Sequence, residues 1–221
     1  MLTYFFPFFA VLLGACLALY FRPNTPTGMR LLLAFSGAFL LGVLALEMLP
    51  KIYGNGDRQT GWWLLGGILL QILLEFFSKG AEHGHAHYHA GQKLPWILLI
   101  SLGLHAFLEG LPLGSQPDLM WAVSVHKIPI AIVVTMLLWE TKGSLTIKTI
   151  TLIFFALMSP FGSWIALNNQ VVLLSTKIEP LVVGVLLHIS TTILFESAEG
   201  HNFNLKKFIS IVLGLVFAGF F

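Results

Sequence analysis

The chain has 221 residues, of which 57% are hydrophobic and 10% are charged, and its mean hydropathy is +0.86. Soluble domains carry about 25% charged residues, so this composition comes close to excluding a water-soluble enzyme. The net charge of +2 is too small to indicate a nucleic-acid partner. The single cysteine, Cys16, excludes an intramolecular disulfide framework.

Apolar stretches of roughly 14–21 residues follow one another along the chain, and about 20 helical residues cross a bilayer. The sequence therefore predicts an all-α integral membrane protein with eight transmembrane helices and one transmembrane domain over residues 1–221. The predicted helices, numbered 1 to 8, are Leu2–Phe21, Leu31–Pro50, Trp62–Ser78, Pro95–Gly114, Met120–Glu140, Ile147–Leu167, Leu181–Phe195 and Phe208–Phe221. Helix 1 is expected to be retained, because it lacks the basic region and cleavage site of a signal peptide.

The basic residues predict the orientation of the helices. With the N-terminus outside, the inner loops carry eight basic residues and the outer loops carry three. The inner set is Arg22, Arg30, Lys79, Lys93, Lys142, Lys148, Lys206 and Lys207, and the outer set is Lys51, Arg58 and Lys177. Because cytoplasmic loops are enriched in Lys and Arg, we expect both termini to be extracytoplasmic and the loop between helices 3 and 4 to be cytoplasmic.

Several ionisable residues fall inside the predicted helices, where an unpaired charge costs at least a few kcal/mol. They are Glu47, Glu75, His105, Glu109, His126, Lys127 and His188. His105 and Glu109 are four residues apart and share a helix face. An imidazole and a carboxylate at this spacing form a common half-site for a transition metal, although a structural His–Glu hydrogen bond has the same pattern.

The depths of these residues favour a metal site. At about 1.5 Å per residue from the outer helix ends, Glu109 lies about 8 Å deep, His126 about 9 Å, His188 about 12 Å, His105 about 13 Å and Glu47 about 5 Å. Metal-binding groups on four helices are therefore expected at nearly one level. This agreement predicts a metal site in the outer half of the membrane.

The predicted cytoplasmic loop, about residues 79–93, has a histidine at every second position. These histidines are His83, His85, His87 and His89. Such a tract binds metal loosely and without fixed geometry, and a solvated linker is the alternative. Glu75, near the inner end of helix 3, is expected either to be solvated or to line an exit path.

Several motifs resemble those of the ZIP (Zrt/Irt-like) metal transporters, over about residues 30–221. On helix 4, Leu104-His-Ala-Phe-Leu-Glu-Gly resembles the family signature H-N-x-x-E/D-G, and on helix 5, Val125-His-Lys-Ile-Pro resembles H-K/E-x-P. Similar matches are Glu47-Met-Leu-Pro to H-L-x-P on helix 2, Leu73-Leu-Glu-Phe-Phe with the His tract, and Ser159-Pro-Phe-Gly on helix 6. The resemblance also implies eight helices with both termini outside.

The chain departs from the family pattern at positions that would serve a second metal. Ala106 replaces the usual Asn, Ile130 replaces a Glu, and Lys127 stands where two-metal members carry an acid. The resemblance therefore implies at most one metal in the main site. Its ligands would be His105, Glu109 and His126, with Glu47 and a neutral His188 as candidates to complete the set.

Lys127 is interpreted as a tethered charge that takes the place of the second metal. The alternative is that Lys127 faces the other side of its helix and extends to the outer headgroups.

The resulting hypothesis is a ZIP-type transporter that carries Zn²⁺, or Fe²⁺, Mn²⁺ or Co²⁺, towards the cytoplasm across the plasma (inner) membrane. We expect no prosthetic group; the expected partners are the ion and the bilayer, and a homodimer is left open. One alternative is a membrane-embedded metal-dependent hydrolase, which the absence of an H-E-x-x-H motif disfavours. Another is a metal-sensing homologue that does not transport, which Ile130 keeps open.

Overall fold

The structure of the chain is a computed structural model. It describes residues 5–21, 26–54, 57–78, 80, 94–168, 172–196 and 204–220. Within them the chain is helical, which confirms the all-α prediction for this part of the molecule. The helices are α1 (Phe6–Phe21), α2 (Pro26–Val43, continued by a π-helical turn at Leu44–Met48 and by Leu49–Tyr53), α3 (Arg58–Ser78), α4 (Trp96–Gly110), α5 (Pro117–Glu140), α6 (Leu145–Asn168), α7 (Val172–Glu196) and α8 (Leu205–Ala218).

Five segments of the described chain are long and apolar enough to cross a membrane. They are Thr27–Tyr53, Arg58–Ser78, Pro117–Glu140, Leu145–Asn168 and Lys177–Phe195. Two further apolar helices, Phe6–Phe21 and Trp96–Gly110, are shorter. These lengths agree with a multi-pass membrane protein, since about 20 helical residues span the hydrocarbon layer.

The helices pack mainly in four pairs, α1 with α5, α2 with α8, α3 with α7 and α4 with α6. Helix α5 is the central one, because it contributes to both large apolar clusters of the interior. Its buried residues run from Leu119 to Leu138 and lie on every side of the helix. A helix that is apolar all round is stable only when it is surrounded, and this position brings the polar side chains of α5 into the interior.

The predicted helix 7 begins too late. The sequence places its start at Leu181, whereas α7 begins at Val172 and continues through Lys177, Glu179 and Pro180. Hydropathy detects only the apolar part of a helix, so it misses turns that project beyond the hydrocarbon layer. This error matters for His188, which lies nearer the C-terminal end of α7 than its N-terminal end.

Helix α2 contains a π-helical turn at Leu44–Met48, in which the Leu49 N–H donates to the Leu44 carbonyl. Pro50, immediately after it, has no N–H to donate to a preceding carbonyl, and a π-turn is one way in which a helix accommodates such a gap. Glu47 lies in this turn and its side chain is exposed.

Candidate metal site

Helices α4 and α6 approach each other closely because each has a glycine at the crossing. A Cβ added to Gly110 would overlap the Ser159 backbone, and one added to Gly162 would overlap the Phe107 carbonyl. Small residues allow the backbones of membrane helices to approach in this way. The contact brings Ser159 of α6 against α4, where its hydroxyl donates to the Ala106 carbonyl at 2.9 Å.

Glu109 is completely buried, and its two carboxylate oxygens have different partners. Oε1 forms an ion pair with the Lys127 ammonium and accepts a hydrogen bond from the Ser159 hydroxyl at 3.3 Å. Oε2 lies 3.4 Å from Nε2 of His105 on the same helix. The carboxylate is therefore neutralised at one oxygen and faces an imidazole with the other.

Lys127 is 1% exposed and reaches the interior rather than the headgroups. Its ammonium pairs with Glu109 and lies 4.7 Å from the centre of the Phe155 ring, a cation–π contact. The alternative in which Lys127 extends to the membrane surface is thus wrong. A buried lysine needs such partners, because an uncompensated charge in a membrane interior is costly.

His105 is buried; its Nδ1 has no hydrogen-bond partner among the described residues, and its Nε2 has the 3.4 Å contact with Oε2 of Glu109. This contact is long for a hydrogen bond, and Oε2 of Glu109 has no closer partner in the described chain. Leaving a buried polar atom unsatisfied costs about 1–3 kcal/mol, so polar atoms in this situation need an explanation. The nitrogens of His105 and Oε2 of Glu109 are donor atoms that suit a transition metal.

His126 lies on α5, next to Lys127, and is fully buried. It interacts electrostatically with Glu109, so three of the sequence-predicted ligands lie in one region. In the described part of the chain, however, no three His, Cys, Asp or Glu side chains are close enough together to hold a metal ion. At Glu109, the cation that the structure brings into contact is Lys127.

The other two predicted ligands lie elsewhere. His188 of α7 pairs with Glu75 of α3, with 2.7 Å between Nε2 and Oε2, and both side chains are about one-fifth exposed. The Thr192 hydroxyl lies 3.5 Å from the same nitrogen. Glu47 is exposed in the π-turn of α2. The predicted cytoplasmic histidines, His83, His85, His87 and His89, lie outside the described residues.

Sequence reasoning missed two features of this region. Glu75 is not simply solvated, since it pairs with His188 across two helices. Ser159 and Phe155 of α6 also support the Glu109–Lys127 pair. The motif Ser159-Pro-Phe-Gly could have indicated that α6 packs against α4, because it contains both the Ser159 hydroxyl and Gly162 of the close helix crossing.

Comparison with known protein families identifies the family of the chain. The family model described as ZIP Zinc transporter matches residues 78–221, which contain α4 to α8 and therefore His105, Glu109, His126 and Lys127. The chain belongs to the ZIP zinc transporter family. The prediction made from the helix 4 and helix 5 motifs is thereby confirmed.

Among its relatives, this ZIP chain is similar to "Zinc transporter ZIP2" of Homo sapiens, with 32% identity over 59% of the chain and 41% of that protein. It is also similar to "Protein zntD" of Dictyostelium discoideum, with 33% identity over 38% of the chain and 15% of that protein. "Protein zntC" of the same organism is 31% identical over 43% of the chain and 25% of that protein. The chain thus matches less than half the length of each of these relatives.

Gly110→Ala is expected to destabilise the protein, because the added methyl group would overlap the Ser159 backbone and separate α4 from α6. Overpacking of this kind costs about 1–3 kcal/mol, so the midpoint of thermal unfolding in detergent should fall. Gly103→Ala on the same helix is the matched control, since its methyl group would meet Phe154 and Met158 at ordinary distances of 3.7 and 3.8 Å. Equal unfolding midpoints for the two variants would contradict the close crossing.

Proposed function

We propose that this chain transports a divalent transition metal ion, with Zn²⁺ as the first candidate, towards the cytoplasm across the plasma (inner) membrane. The proposal includes eight membrane spans with both termini extracytoplasmic. The observation that carries it is the asymmetry of the buried Glu109 carboxylate, with Lys127 and Ser159 on one oxygen and His105 facing the other. Family membership supports transport over the alternative of a metal-dependent hydrolase.

The ion would bind on the His105 side of Glu109. Oε2 of Glu109 and the His105 nitrogens are buried, with the long Nε2–Oε2 contact between them, so they can replace water molecules that the ion gives up. His126, one residue from Lys127 on α5, would supply the third ligand after a small rearrangement. Oε1 would stay with Lys127 and Ser159, which hold the carboxylate in place.

Lys127 would act as a tethered charge in the position of a second cation. One divalent ion together with Lys127 and Glu109 has a net charge of +2 in a region of low dielectric constant, which disfavours tight binding. Weak binding suits transport, because an ion that must leave cannot be held too strongly. When the ion has left, Lys127 neutralises Glu109 and the pair carries no net charge.

His188 and Glu75 would contact the ion at a separate point of its route. They lie on α7 and α3, near the ends of these helices that are predicted to be cytoplasmic. Ionisable groups within a membrane usually line a water-filled cavity or pair with each other, and this pair is partly exposed. Glu47, exposed in the π-turn of α2, would meet the ion on the outer side. Movement of α4 and α5 relative to α3 and α7 would open the two sides in turn.

Zinc uptake by the purified chain in liposomes that contain a zinc-sensitive dye tests the proposal. We expect saturable uptake above that of protein-free liposomes, and competition by Co²⁺ or Mn²⁺ but not by Mg²⁺. The number of zinc ions bound per chain, measured by mass spectrometry, distinguishes transport from the remaining alternative, a metal-sensing homologue. A sensing homologue would bind zinc without changing the signal of the dye inside the liposomes. That result would overturn the proposed transport.

Replacing His83, His85, His87 and His89 together by Ser is expected to leave a measurable uptake rate. These residues lie outside the predicted helices, so they should affect the local ion concentration or regulation rather than the crossing step. Initial rates in the same liposome assay, normalised to reconstituted protein, provide the measurement. A complete loss of uptake at normal protein levels would show that the loop is part of the translocation path.

A further inference from the structure

A cavity of about 550 Å³ lies between α4 and α6, lined by residues from the N-terminal parts of both helices. Its walls include Trp96, Leu99 and Ile100 of α4 and Ile150, Phe154 and Phe155 of α6. The polar side chain of the lining, Thr151, donates its hydroxyl hydrogen to the Ile147 carbonyl at 2.8 Å. The cavity therefore offers an apolar ligand shape and contact area but little hydrogen bonding.

The cavity opens towards the lipid rather than towards water. Ile100, Ile150 and Phe154 on its rim are 58%, 61% and 54% exposed. They belong to apolar helices of a membrane protein, where exposed apolar side chains meet hydrocarbon. The natural occupant of such an opening is a lipid acyl chain, because a void between the helices would lose dispersion contacts on all its walls.

The loop between α5 and α6, which lies at one end of this cavity, carries one basic residue, Lys142, and follows the exposed Glu140 at the end of α5. The loop between α5 and α6 reaches the start of α4, where a Cβ on Gly143 would lie 3.8 Å from the Leu94 side chain. Trp96, two residues further on, lines the cavity, and so does Ile147 at the start of α6. Lys142 in this loop is exposed, and the count of basic residues predicts that the loop is cytoplasmic.

The inner wall of the cavity touches the candidate metal site. Phe155 lines the cavity and is itself 4% exposed. Its ring lies 4.7 Å from the ammonium of Lys127, which pairs with Glu109. A molecule seated in the cavity would therefore press on the ring that supports the central ion pair.

We propose that the cavity binds an acyl chain of an anionic phospholipid from the cytoplasmic leaflet, with the headgroup near Lys142. The bound chain supports Phe155 beneath Lys127 and so keeps the ammonium on Glu109. Headgroup selectivity arises from Lys142, since basic residues at a membrane surface attract anionic lipids. The lipid site is inferred from the geometry of α4 and α6 and does not depend on the proposed function. Its effect on zinc binding does rest on the proposed function.

The test measures phosphatidylglycerol and phosphatidylcholine retained by the full chain in native mass spectrometry without added zinc. Wild type is expected to retain phosphatidylglycerol preferentially.

Ile150→Trp fills the cavity from its rim and should abolish retention of either lipid, whereas Ile153→Trp, on the same helix and also exposed, should not. Lys142→Gln should remove the preference for phosphatidylglycerol. The control Lys206→Gln, which changes an exposed lysine at the start of α8, should preserve the preference. Equal retention by the two Trp variants, or an unchanged preference after Lys142→Gln, overturns the lipid site.

Zinc affinity in nanodiscs separates the lipid site from its effect. We expect wild type to bind zinc with an affinity that differs by roughly threefold between phosphatidylglycerol and phosphatidylcholine, which is a fraction of the free energy of a buried cation–π contact. Ile150→Trp should lose this difference and Ile153→Trp should keep it. Selective lipid retention with no difference in zinc affinity would refute the link through Phe155 and leave the lipid site intact. Absence of any zinc binding would count against the proposed function instead.

Discussion

Glu109→Ala is expected to reduce zinc uptake to the level of protein-free liposomes. The substitution removes the carboxylate to which Lys127, Ser159 and His105 are directed. His105→Ala and His126→Ala should have the same effect, because each removes an imidazole from the same buried region. Initial uptake rates, normalised to reconstituted protein, provide the measurement, and full activity of any one variant would remove that residue from the site.

The control for this prediction separates loss of function from loss of the fold. Glu109→Ala leaves the buried ammonium of Lys127 without its partner, and breaking a buried ion pair costs about 3–5 kcal/mol. The double variant Glu109→Gln/Lys127→Met replaces the pair by neutral groups of similar size. We expect it to restore the amount of folded protein in detergent but not uptake. Recovery of uptake in the double variant would show that Glu109 acts only by neutralising Lys127.

Lys127→Asp is expected to raise the number of zinc ions bound per chain from one to two. The introduced carboxylate is shorter than the lysine side chain, so it would face Glu109 across the space that the ammonium now fills, and two carboxylates on either side of such a space attract a second cation. Without metal the same variant should unfold at a lower temperature, because two buried like charges face each other. Metal content by mass spectrometry and thermal unfolding with and without zinc give both measurements.

Lys127→Met is the matched comparison, since it removes the positive charge without adding a ligand. We expect one zinc ion per chain, bound more tightly than in wild type, because the net charge of the loaded site falls by one. Uptake at saturating zinc should then be slower if release limits the rate. A stoichiometry of one in Lys127→Asp would refute the role of Lys127 as a substitute for a second metal.

Ile130, which stands where the family signature has a Glu, fits the proposed single-metal site together with Lys127. Ile130 is 1% exposed and packs in the apolar cluster formed by α1, α4, α5 and α6. A carboxylate at this position would add a charge to that cluster, whereas Ile contributes apolar contacts. The substitution of Ile for an acid and the presence of Lys beside His126 are therefore consistent with each other, because both lower the number of negative charges.

Local features of this protein could be predicted from its sequence. Helical periodicity alone brings His105 and Glu109 to one face of α4, and the structure has their side chains 3.4 Å apart. The all-helical class followed equally directly, since long apolar stretches in a bilayer must satisfy their backbone hydrogen bonds internally. The family followed from two short motifs on neighbouring helices.

Partners across helices were decided only by the tertiary structure. Depth along a helix predicted His188 beside His105, but α7 begins earlier than its apolar part and packs on α3, so His188 meets Glu75. Lys127 could have faced either way, because α5 is apolar all round and its sequence pattern does not indicate an outward-facing side. The structure directs the ammonium to Glu109 of α4 and the Phe155 ring of α6 in the interior. Sequence spacing determines which residues share a helix face, whereas helix rotation and neighbours depend on side-chain packing and close glycine contacts throughout the bundle.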